Sequence, residues 1–297
     1  MADFGPLLLH SVSYAGFWGQ AALSLEEFLD KAASLGYDGV MLMAKRPHLS
    51  VLDYGPEACA RLRERLERLN LKAVCIAGYN NFTADLEHGD IPHREFQIQH
   101  VTRLAELANA LGGKLVRVFT GYESSAAPLA TQWRMVVEAL RECARRASKY
   151  NVVIGVQNHH DIGAGWEQMQ DLIQAVNEPN CRAMFDAWAP FLQGADLKEA
   201  ARAMGPITVH TTVADYRLLP RYHYNASVVN YTRDTPLVQA VPMGEGAVDY
   251  RSFFAALAEA GFRGSVAYEM CSPLRDGGSM ETLDEYGRRF VEFMKAL

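Results

Sequence analysis

The stretch Val152–His160, VVIGVQNHH, decides how the chain is read. A short apolar run passes directly into Gln157, Asn158, His159 and His160. An apolar run without clean alternation suits a strand buried on both faces. Four polar side chains at the end of such a strand are costly unless they have partners. The cluster therefore points to a site rather than a surface, and the run before it to one strand of a parallel sheet.

Seven similar runs flank it: Pro6–Val12, Tyr37–Ala44, Leu71–Tyr79, Lys114–Gly121, Cys181–Ala187, Pro206–Thr212 and Gly264–Met270. Amphipathic segments separate them. Ser24–Gly36 opens with Ser24 as N-cap, carries Glu27 three residues on, and stops at Gly36. Further helices are expected over Gly55–Asn70, His93–Leu111, Pro128–Tyr150, Trp166–Val176, Leu197–Met204, Asp249–Ala260 and Glu281–Lys295. Strands that alternate with helices imply parallel pairing through right-handed crossovers. Eight such units in 297 residues, about 37 residues each, predict a single (β/α)8 TIM barrel over 1–297. No GxGxxG follows the first strand, so a dinucleotide fold has no direct support. One long irregular segment, 213–247, interrupts the pattern after strand seven. Its length and its tyrosines (Tyr216, Tyr222, Tyr224 and Tyr231) suggest a functional loop that caps the pocket or reaches a neighbouring subunit.

Composition narrows the class. Hydrophobic residues make up 49% of the chain and charged residues 22%, as in an ordinary globular protein. A net charge of −6 gives no general footprint for nucleic acid. No apolar run approaches the length of a membrane span, and the N-terminus lacks the basic region of a signal peptide. The five cysteines are odd in number and contain no CxxC. A reducing, cytoplasmic location is the expectation.

In a TIM barrel the chemistry lies at the C-terminal ends of the strands. Those ends are His10, Met43, Tyr79, Thr120, Gln157, Asp186, His210 and Glu269. Asp186, His210 and Glu269 converging on one axis suit a divalent cation such as Mn, Mg, Co or Zn, with the Gln157 amide oxygen as a fourth ligand. The competing reading is a metal-free site in which Asp186, Glu269 and His210 exchange protons. His159 and His160 are expected to touch substrate or support the ligands. His10 is a substrate-side candidate or a core histidine, and Trp188 and Trp166 can wall a sugar-sized pocket, with core packing as their default role. Arg117, inside strand four, is expected to form a structural ion pair. Cys271 is taken as structural.

These residues resemble the xylose-isomerase-like TIM barrels: sugar isomerases and epimerases such as the tagatose and psicose 3-epimerases, with inosose dehydratase and endonuclease IV as relatives. The closing stretch MGEGAVDYRSFFAALAEAGFRGSVAYE, ending at Glu269, is similar to the family's own signature. The segment ADYR resembles the family's polar stretch after strand seven, which implies substrate contacts for Asp215 and Arg217. The resemblance implies one divalent metal held by a Glu, an Asp, a His and a Glu on strands five to eight. Asp186, His210 and Glu269 match, and Gln157 departs, because the family has Glu there as both ligand and base. An amide cannot take a proton near neutral pH, so a two-base epimerisation loses one base. Glu269 stays as base, with His159 or His160 as a second.

The implied function is a metal-dependent sugar isomerase or epimerase working through an enediolate. The runner-up is a dehydratase acting on a keto-sugar or keto-inositol, and a third reading is a barrel that binds sugar without catalysis. Endonuclease IV-like proteins need further histidines where this chain has Ala189 and Arg217, so a DNA-repair site is not expected. The partner is a small sugar-like molecule, with a homodimer or homotetramer left open.

Overall fold

The computed structural model describes residues 4–297. Eight strands close a barrel in the order β1 (Leu7–His10), β10 (Ser265–Tyr268), β7 (Thr208–Val213), β6 (Cys181–Met184), β5 (Val153–Gln157), β4 (Leu115–Val118), β3 (Ala73–Ala77) and β2 (Gly39–Met43). All neighbours pair in parallel, and strands that follow one another in the chain around the barrel are joined through helices. The expected (β/α)8 architecture is therefore present.

The helices are α1 (Leu25–Ser34), α2 (Pro56–Arg68), α3 (His93–Ala110), α4 (Leu129–Ser148), α5 (Trp166–Val176), α6 (Trp188–Leu192), α7 (Leu197–Met204), α8 (Tyr250–Glu259) and α9 (Met280–Lys295). The local sequence signals act as expected. Ser24 accepts the Glu27 N–H, and the Glu27 carboxylate returns a bond to the Ser24 N–H, forming a capping box. Gly36 and Gly261 adopt the left-handed conformation that ends α1 and α8. The short α6 has no counterpart in the sequence reading. Five residues containing Pro190 are too few for a helical period to show.

Two apolar layers result. The larger lies between strands and helices and holds most of the core. The smaller consists of inward-facing strand residues: Leu8, Met41, Cys75, Ala77, Met184 and Ala267. It lines the barrel interior, with Gln157 in register with Met184 and Arg117 in register with Ala77 beside it toward the C-terminal mouth.

The segment 213–247 is not an irregular loop. It contains an antiparallel ribbon of β8 (Asp215–Asn225) and β9 (Asn230–Val241). Pro220 and Pro236 hid it, because proline cannot donate to a ladder. Both fall at the one irregularity in the ribbon's register, where pairing skips between Leu219 and Arg221. Tyr222, Tyr224 and Tyr231 are exposed on this arm, so it does not cap the barrel with them.

The root of the arm is fixed by Asp215, which is fully buried. Its carboxylate accepts the backbone N–H groups of Tyr216 at 3.0 Å, Gly244 at 2.9 Å and Gly246 at 2.9 Å. Gly246 is required there, since a Cβ would sit 1.9 Å from the Asp215 carboxylate. Asp215 is thus a structural anchor and not a substrate contact. Replacing Asp215 with Ala strands three donors, at a cost of about 1 kcal/mol each. The thermal midpoint, followed by circular dichroism, is expected to fall by roughly 5–10 °C for a chain of this size.

Candidate active site

A cavity of about 700 Å³ opens at the C-terminal mouth of the barrel. Gln157, Asp186, Glu269, His159, His160 and Trp188 all line it. The VVIGVQNHH stretch therefore ends in the cavity, as its polar cluster implied.

His210 does not. Strand side chains alternate, so Thr208, His210 and Thr212 share the inward face of β7. His210 pairs in register with Met184 on one side and Ser265 on the other. It has no exposed surface, and its Nδ1 meets the Ser265 hydroxyl at 2.7 Å. Burial, then Arg117, brings its pKa down to about 3, so it is neutral. Two residues further along the strands, the Asp186 carboxylate accepts the Thr212 N–H at 2.7 Å. Asp186 is thus level with Thr212, and His210 lies one layer deeper. Glu269 is four residues beyond Ser265, roughly 13 Å along the strand from His210's level. The expected ligand set of Gln157, Asp186, His210 and Glu269 is not brought together. Among the described residues, no three His, Cys, Asp or Glu side chains stand close enough to share a metal ion.

A continuous polar chain occupies the mouth instead. Arg117 Nη1 donates to Gln157 Oε1 at 2.7 Å, and Gln157 Nε2 donates to Asp186 Oδ2. The Gln157 amide is consumed at both ends. Asp186 is held by Gln157 and Thr212, yet burial still pushes its carboxyl up to about 7. Burial also raises the Glu269 carboxyl, with Arg117 pulling it back. His10 lies behind Glu269, with Nε2 3.8 Å from Oε1. It is fully buried and does not line the cavity, so it supports Glu269 rather than the substrate.

Arg117 does not form the expected ion pair. Among the described residues no carboxylate lies within 4 Å of it. Its guanidinium stacks on Phe119 at 3.9 Å and Tyr79 at 4.9 Å. The two histidines also pack against this aromatic wall. Their rings lie 4.7 Å (His159) and 4.2 Å (His160) from Phe119, and their Nδ1 atoms meet at 2.8 Å. Burial and the neighbouring positive groups lower both to about 4. Neither has the near-neutral pKa expected of a second base. Arg217 is exposed on the arm and stays outside the cavity, whereas Trp188 lines it, 4.6 Å from the Tyr216 ring.

Tyr79, Lys45 and Thr212 also line the cavity. The latter two lie outside the strand-end reading. The signal was parity: Lys45 is two residues past Met43, and Thr212 two past His210, each on the inward face.

The sequence matches the xylose isomerase-like TIM barrel family model over residues 29–292. The chain belongs to this family. No curated protein matches its sequence. Among solved structures, it is similar to an L-ribulose 3-epimerase, at 17% identity and a TM-score of 0.73 over 99% of this chain and 94% of that one. It is also similar to a probable 3-DHS dehydratase from Bacillus anthracis, at 17% identity and 0.71 over 97% and 99%. A third is a xylose isomerase-like barrel from Mycobacterium smegmatis in complex with magnesium, at 13% identity and 0.67 over 98% and 96%. At these identities the likeness is one of fold.

The metal implied by the family does not fit the residues present. Two of the four expected donor positions carry Gln157 and, at the height of Asp186, Thr212. The Gln157 oxygen is already bound by a guanidinium.

The low imidazole pKa values lead to a pH prediction. His159 and His160 are expected to keep neutral ring signals from pH 8 down to about pH 5 and to titrate near 4, as read by NMR. The acid limb of any pH–rate profile belongs to a carboxyl, so it is expected to persist unshifted in His159→Gln and His160→Gln.

Proposed function

We propose that the chain is an enzyme of the sugar isomerase and epimerase type, acting on a ketose or a similar polyhydroxylated carbonyl compound. The observation that carries this reading is Glu269. It lines the cavity with 17% of its side chain exposed, and it accepts no hydrogen bond from any described residue. A desolvated carboxylate with free lone pairs is a competent base, and its raised pKa brings it nearer the operating pH.

Glu269 removes the proton from the carbon next to the carbonyl, which leaves an enediolate. Returning the proton to the former carbonyl carbon, while the hydroxyl proton passes to the former carbonyl oxygen, completes an isomerisation on one face. Asp186 is tied by hydrogen bonds to Gln157 and Thr212, and the two histidines are weak bases, so Glu269 is the cavity carboxylate left free of hydrogen bonds from described residues. A two-base epimerisation has little support. The same single base serves a β-elimination, in which the abstracted proton and a departing hydroxide leave as water. This is the second reading, and it is favoured by the same lone carboxylate. Trp188, Tyr216 and the His159–His160 pair provide rings and polar edges suited to a sugar-sized molecule. The five free cysteines support a cytoplasmic site of action.

Incubation with a panel of ketoses and keto-inositols in deuterium oxide tests the reading. At least one compound is expected to gain deuterium at the carbon next to its carbonyl, and Glu269→Gln is expected to slow that exchange about 100-fold or more. Binding without exchange or turnover on every member would establish a sugar-binding barrel instead.

A further inference from the structure

Arg117 is a buried cation with no carboxylate within 4 Å among the described residues. It is 1% exposed, yet it lines the cavity. Placing an unpaired charge in a protein interior is expensive, and a purely structural role calls for a carboxylate beside it. Among the described residues its one side-chain hydrogen bond goes to the neutral Gln157 oxygen, through Nη1. Nε and Nη2 have no partner among the described residues and are shielded from bulk solvent. These two nitrogens form the edge of the guanidinium whose N–H groups run parallel, which is the edge that grips two adjacent oxygens at once.

The surroundings hold this edge in place. Phe119 and Tyr79 clamp the guanidinium through their ring faces. Gln157 fixes its far side and leaves its charge intact, whereas a glutamate there would neutralise it. Around the eight-stranded ring, β4 and β10 are four strands apart in either direction. Arg117 and Glu269 thus face each other across the barrel mouth, with the cavity between them.

We propose that the Arg117 guanidinium is the electrophile of this site, and that it takes the role for which relatives use a metal ion. It binds the carbonyl oxygen and adjacent hydroxyl of an α-hydroxy ketone in bidentate fashion. As Glu269 takes the α-proton, the electron pair of the C–H bond moves into the new carbon–carbon double bond. The carbonyl π pair moves onto oxygen, where Arg117 stabilises the negative charge. No redox partner or metal is needed. The substrate is therefore an α-hydroxy ketone able to form a cis-enediolate. This inference rests on the proton-transfer reading above, but it is tested separately through binding.

Oxalate, a planar dianion with the oxygen spacing of a cis-enediolate, is the probe. The protein is stripped with a chelator, verified metal-free by elemental analysis, and titrated with oxalate by calorimetry. Saturable binding is expected without added metal. Arg117→Met is expected to weaken it at least tenfold, and Arg117→Lys less. Gln157→Glu, which keeps the guanidinium but neutralises it, is expected to weaken binding similarly and guards against a misfolded Arg117 variant. If oxalate binds only after Mn²⁺ or Mg²⁺ is added, the proposal is overturned, and this needs no variant. Equal binding by well-folded Arg117→Met overturns it too. Absence of deuterium exchange on every sugar would count against the enzyme reading alone.

Discussion

The side-chain amide of Gln157 joins a guanidinium to a carboxylate, and the upper barrel is organised around that bridge. An amide offers an acceptor to Arg117 and a donor to Asp186 at the same time without carrying charge. A carboxylate could accept from the arginine but would repel Asp186. The bridge explains why Asp186 is orientated yet poorly neutralised, and why Arg117 keeps its full charge. It also ties β4, β5 and β6 together at the level where the strands release their chains into loops.

Much of this was legible in the sequence, and the failures share a cause. The barrel followed from eight apolar runs separated by capped, amphipathic helices, and those signals are local. The helix at Trp166–Val176 and the stop at Gly261 needed no knowledge of distant residues. The height of a side chain within the barrel is different, because it depends on register between strands. His210 ends an apolar run as convincingly as Asp186 does, but its register with Met184 and Ser265 puts it one layer too deep. Thr212 and Lys45 were overlooked for the same reason. The ribbon after strand seven was lost to its prolines. Its anchor Asp215 was mistaken for a substrate contact, because a buried acid receiving three amide protons looks in sequence like any other polar residue.

Arg117 shows the limit most clearly. Inside an apolar strand, an arginine suggests an ion pair, and only the three-dimensional arrangement reveals that no acid answers it. The partners it does have are aromatic faces and an amide, and neither class is visible as a pair in sequence. Gln157 looked like the loss of a ligand. Beside a guanidinium it is the residue that preserves a positive charge.

The opposed placement of Arg117 and Glu269 has a consequence for how such a protein can change. Their strands, β4 and β10, stand opposite each other on the ring, and strand number and stagger fix the distance between those strands. The scaffold behaves as a caliper of fixed gauge, and whatever molecule it measures must present its acidic carbon and its oxygens at that one span. Diversification toward new substrates is confined to the rim, where Lys45, Trp188 and Tyr216 decide what hangs beyond the jaws.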